Sequence, residues 1–126
     1  MLPSPYAAPE GAARAGRLLE LSERLAESGR RGEALDAARE ACQVLRDLAR
    51  LNPDVHLPDL AEGLSVMAAR LREARRMREG VTAAQETVRI RRRLTRYDYD
   101  AHASGLARAL CRLAVDLSAS GDLRDA

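Results

Sequence analysis

The chain contains no phenylalanine, no tryptophan and no lysine, and its only aromatic residues are three tyrosines. Aromatic cages for quaternary cations and stacking platforms for bases both need such side chains, so those modes of recognition are disfavoured. A core without them has to be filled by Leu, Ala, Val and a few Met, which suits close packing of helix on helix. Two cysteines among 126 residues are too few for a disulfide framework and read as reduced thiols. The start, Met1 to Pro9, has neither a charged n-region nor an apolar h-region, and no apolar run is long enough to span a bilayer. These absences predict a soluble, cytoplasmic protein with no membrane partner. The chain also lacks a phosphate-binding glycine loop after a strand, a Ser-His-Asp arrangement and paired carboxylates in an evident cleft. No enzyme, cofactor or metal centre is expected.

What is present is charge and periodicity. All 21 basic residues are Arg, which reads first as the bias of a GC-rich genome, and the net charge is only +2. The distribution is uneven. Residues 70 to 96 hold ten Arg against Glu73, Glu79 and Glu86, leaving 11 Arg against 16 acids elsewhere. Apolar positions recur at an interval of 46 residues: Leu18, Leu64 and Leu110, then Leu21, Met67 and Leu113, then Leu25, Leu71 and Leu117. The acids Glu33, Glu79 and Asp125 recur with them. Within each set the spacing of three and four places the residues on one face of a helix. An internal repeat built from helix pairs predicts a stacked array that presents a surface.

The predicted organisation is an extended arm over 1–9 followed by a helical array over 10–126, with units of about 10–55, 56–101 and 102–126. Helices are expected from about Glu10 to Ser28, Glu33 to Leu51, Pro58 to Ala74 and Arg78 to Arg96, then through Leu106 and Leu117 to a break at Gly121. The fold class is all-α, an antiparallel helix-pair array of about two and a half repeats. Asp125-Ala126 is expected to open the next helix. Leu110, Leu113 and Leu117 would then lack the helix that covers them. Burying each such side chain is worth roughly 1.5 to 3 kcal/mol, so this end is expected to be covered, by self-association first, or by swapped helices or a continuation of the chain.

Helix, short glycine turn, Glu-Ala and helix at fixed period resembles the tetratricopeptide repeat, over nearly everything after residue 10. Ser22, Ala68 and Ala114 correspond to the family's small residue where its paired helices touch. Gly29 and Gly121 correspond to its turn glycine, and Ala34 and Ala41 to its second-helix small residues. The long period resembles the subset found in kinesin light chains and actinobacterial regulatory proteins. Arg75 replaces the turn glycine, Gly80 and Thr87 replace alanines, and the large aromatics are Leu. These departures bear on the tightness of the middle hairpin rather than on the architecture. The resemblance implies a superhelix whose first helices line a groove for a peptide or partner domain, making the protein an interaction module or scaffold.

The candidate groove residues point away from the Leu stripe: Leu19 and Glu23, then Ser65, Ala69 and Arg72, then Arg108, Cys111 and Val115. Leu19, Cys111 and Val115 are apolar there, as peptide anchors or as packing against a neighbouring repeat or the arm. A second candidate is the basic stripe Arg89, Arg92, Arg93 and Arg96, either a nucleic-acid or acidic-partner contact or a solvated face. His56 and His102 recur at one repeat position after Asp54 and Asp100. Two donors per unit do not make a metal site, and hydrogen bonding at helix starts accounts for them. Cys42 aligns with Val88 and is expected in the core, whereas Cys111 is expected to be partly exposed, with no flanking base to activate it.

Overall fold

The computed structural model describes residues 8–121, which form five α-helices: α1 (Ala8–Glu27), α2 (Arg31–Leu51), α3 (Pro53–Glu73), α4 (Met77–Tyr97) and α5 (Tyr99–Ser120). Of the extended arm expected over residues 1–9, residues 1–7 lie outside the described residues and Ala8 and Pro9 instead open α1; the helix start expected at Asp125-Ala126 also lies outside them. Each helix packs against the next in the chain, and no strand occurs among the described residues. The fold is all-α.

Two kinds of connection alternate. The first is a three-residue turn closed by a left-handed residue, at Gly29 with φ +79° and at Arg75 with φ 65°. The Gly29 N–H donates to the Ala26 carbonyl at 3.0 Å and the Arg30 N–H to Leu25 at 2.9 Å. Arg75 to Arg72 at 3.0 Å and Arg76 to Leu71 at 2.8 Å repeat that pattern, which satisfies carbonyls left open at a helix end. Arg75 thus adopts the conformation its glycine counterpart would, and the middle hairpin is as tight as the first. Gly121, with φ +79°, ends α5 in the same conformation.

The second connection is a single residue. Asn52 alone separates α2 from α3, and Asp98 alone separates α4 from α5. Both are shorter than the sequence suggested. α3 begins at Pro53 rather than near Pro58, because proline in a first turn forfeits only an N–H that would be unpaired anyway. Pro58 then sits inside the helix and removes one hydrogen bond from its second turn. At the other junction the Asp98 carboxylate accepts from the Ala101 N–H at 3.2 Å and caps α5. The His56 and His102 backbone N–H groups donate to the Asn52 and Asp98 carbonyls in the first turns of α3 and α5, while the buried His56 Nδ1 has no hydrogen-bond partner among the described residues.

The main core lies between α2, α3 and the near ends of α1 and α4. Leu48, Leu64, Leu71, Cys42 and Ser22 are the largest wholly buried side chains among the described residues, with Leu71 in a smaller cluster beside Leu35, Ala68 and Ala83. Burial along the repeat is graded. Leu64 and Leu71 are inaccessible, Leu18 and Leu25 are half-buried, and Leu21 and Leu110 are each 39% exposed. Leu113 is half-buried, and Leu117, expected to lie open, is buried. Each α3 position has a helix on both sides, whereas α1 and α5 are the outer helices of the described stack.

Charged pairs tie together helices that are not chain neighbours. Arg39 donates to Glu79 at 3.1 Å, and Arg46 grips both oxygens of Glu86, one at 2.9 Å, so α2 and α4 run in the same direction. The Arg46 hydrogen bond to Glu86 holds its guanidinium above the ordinary range. Arg39, and then Arg76, hold the Glu79 carboxyl below its ordinary value. Between α1 and α3, the Arg70 Nε donates to the Ser22 hydroxyl at 3.2 Å, and that hydroxyl donates to the Ala34 carbonyl at 2.7 Å. Between α3 and α5, Arg72 donates to Asp116 at 2.7 Å.

Candidate functional site

A groove of about 580 Å³ lies between α3 and α5, with α4 as its floor. Ala68, Ala84 and Thr87 form the base, while Arg91, Arg108 and Arg112 stand around it against the single acid Glu62. The small residues at the base leave the space between α3 and α5 unfilled. Thr87 is buried and spends its hydroxyl on the Ala83 carbonyl at 2.9 Å, so it presents its methyl rather than a polar group. Val115, 52% exposed, and the exposed thiol of Cys111 line the α5 wall.

Four of the eight groove residues expected from sequence, Ser65, Arg108, Cys111 and Val115, meet here. Leu19 and Glu23 lie on α1, outside its lining. Ala69 is half-buried on α3 and also outside it. Arg72 is not a free groove cation: its guanidinium is spent on Asp116, which is 4% exposed. The second Asp116 oxygen is buried with no hydrogen-bond partner among the described residues, so Arg72 is the neutralising group for a costly carboxylate. Asp116 carried a signal, since it stands where the other units have Arg24 and Arg70.

Arg91 and Arg112 escaped the sequence reading because Arg91 was grouped with no stripe and Arg112 lies beside the outward residues rather than among them. Arg91 reaches Glu62 at 3.4 Å, a long contact that leaves much of its donor capacity unused.

Arg89, Arg93 and Arg96 border a shallow hollow beside Tyr97, and Arg92 is exposed on the same helix. None of these four forms an ion pair among the described residues, unlike Arg39 and Arg46 on α2. The two thiols differ as expected. Cys42 is 2% exposed, and burial pushes its thiol up to about 12, with Arg46 opposing that rise and Glu86 adding to it. Among the described residues no three His, Cys, Asp or Glu side chains converge in a way that would hold a metal ion, and no helix is long and apolar enough to cross a membrane. No protein-family model, curated protein or solved structure matches the chain.

Proposed function

We propose that this chain is a protein-interaction module of tetratricopeptide-like construction, which holds an acidic segment of a cytoplasmic partner in the groove between α3 and α5. The observation that carries this is the groove's composition: a base of small residues, flanked by three guanidiniums and one carboxylate. Small side chains at the base let a backbone approach closely, and Arg supplies planar donors that match carboxylates in pairs. The 46-residue recurrence of turn and helix supports a repeat array, and repeat arrays bind along the surfaces their stacking creates.

Selection of a random peptide library on the full chain tests this reading. Retained sequences should be enriched in Asp and Glu. Their affinity should fall tenfold or more in the Arg108→Glu, Arg112→Glu double variant, since like charges then face each other. Peptides with no charge preference, bound equally by that variant, would remove the groove from consideration.

A second reading rests on the unpaired stripe of Arg89, Arg92, Arg93 and Arg96, which offers phosphates four cations on one exposed helix face. Under it, oligonucleotide affinity falls steeply with salt, and Ala at 89, 92 and 96 removes it.

A further inference from the structure

Four residues of α4, Arg89, Arg93, Arg96 and Tyr97, border one hollow of about 520 Å³. Their spacing sets them in a single line down the helix, and the three guanidiniums span about 10 Å of its axis. The 46-residue interval matches this line to Gln43, Asp47, Arg50 and Leu51 of α2. There the line is closed on itself, because the Gln43 amide and the Arg50 guanidinium both donate to Asp47 at 3.1 Å. On α4 an arginine replaces that acid. Three like charges then face one another at spacings where repulsion destabilises a helix, and no anion among the described residues relieves them. The openness of this line is a property of its position on the helix. On α2, which α1 and α3 pack and α4 meets through Glu79 and Glu86, Gln43, Arg50 and Leu51 are still exposed and Asp47 is half-exposed. Arg92 differs: its counterpart Arg46 is engaged by Glu86, so it is left out of the site.

Composition alone disfavours a stacking platform, yet the fold sets Tyr97 at the foot of this line, 74% exposed. We infer that the hollow binds single-stranded nucleic acid, with Arg89, Arg93 and Arg96 on successive phosphates and a base stacked on Tyr97. Cations that track a backbone beside an aromatic ring that takes a base are the two parts such recognition needs. The tyrosine selects among polyanions. A duplex keeps its bases paired and stacked inside the helix, and an acidic peptide brings carboxylates but no base, so an unpaired strand alone engages both the guanidiniums and the ring. The inference rests on the stripe binding phosphates, and it adds the form of the strand and the residue that reads it.

The test follows the fluorescence anisotropy of labelled oligonucleotides as the full chain is added: short oligo-U and oligo-dT, the duplex of oligo-dT with oligo-dA, and an abasic strand that keeps the phosphates and lacks the bases. The single strands are expected to bind about tenfold tighter than the duplex and the abasic strand, with a log–log salt slope of about −2 for three neutralised phosphates. Whichever of oligo-U and oligo-dT binds tighter tells RNA from DNA. Tyr97→Ala should weaken the single strands about tenfold and leave the abasic strand as before, while Tyr97→Phe, which keeps the ring, retains binding. Since the chain has no tryptophan, quenching of tyrosine emission by unlabelled strand reads the stack directly, and Tyr97→Ala should remove most of it. Arg93→Asp gives α4 the acid of α2. It should weaken every strand about tenfold or more, with thermal unfolding no lower than in wild type. Single, duplex and abasic strands bound alike, with Tyr97→Ala without effect, would overturn the inference and leave the stripe a plain phosphate contact. No saturation by any strand up to about 1 mM would remove that contact as well.

Discussion

Arg75 pays for a turn that glycine makes without strain. With φ 65° it stands in the left-handed region, where a Cβ crowds the following carbonyl by roughly 1 to 2 kcal/mol. Its counterparts Gly29 and Gly121 reach φ +79° with no such cost. Arg75→Gly is therefore expected to raise stability by about 1 kcal/mol in urea unfolding, the greater freedom of glycine in the unfolded chain taking back part of the gain. The thiols give a second expectation. Cys111 should react with iodoacetamide in the native protein, and a bound groove peptide should slow it, while Cys42 stays unmodified until the chain unfolds. Because burial holds the Cys42 thiol near 12 against an ordinary 9.0, the unfolded chain loses this proton first as pH rises. Its contribution to stability is thus complete below about pH 9 and declines by roughly 1.4 kcal/mol per pH unit above it. Cys42→Val, the residue found at the equivalent position 88, should flatten that part of the pH profile relative to wild type.

At the scale of elements, α5 is fastened to α3 through Arg72 and Asp116. Removing one member of a buried pair leaves the other without compensation, so Arg72→Met should cost about 3 kcal/mol, whereas adding Asp116→Leu should recover most of it. A double-mutant cycle read by urea unfolding measures this, and additive losses would mean that the pair is not coupled. This link was not legible in the sequence, because helical periodicity assigns Arg72 to an outward face and says nothing of which carboxylate a neighbouring helix brings to it. The helices themselves were legible. Leu and Ala spacing located all five, and the 46-residue interval placed Cys42 in the core. Their ends were less so: Pro58 read as a helix start, since proline marks first turns, yet Pro53 fills that role and α3 carries both. The connection after Tyr97 looked like a loop because Asp and Tyr residues dominate it, but one capping Asp suffices to turn the chain.

Across the whole molecule, stability should follow position in the stack rather than helix length. α1, α3 and α5 have 20, 21 and 22 residues, so intrinsic helix formation does not rank them. Neighbours do. α3 buries Leu60, Leu64 and Leu71 between α2 and α4 and sends Arg70 and Arg72 to the outer helices, whereas α1 and α5 leave Leu21 and Leu110 partly in water. Where each helix packs chiefly on its neighbours in the chain, stability approaches a sum of helix terms and nearest-neighbour interfaces, and a helix with one interface opens at lower free energy than one with two. Native-state hydrogen exchange should therefore find the slowest amides in α2, α3 and α4, with α1 and α5 exchanging through separate openings that leave the middle closed. Arg72→Met should lower the opening free energy of α5 while leaving α1 unchanged, because the interface it weakens lies only on that side. Equal protection of all five helices, falling together in the variant, would mean that the chain opens as one cooperative unit and that the repeat governs its geometry without dividing its energetics.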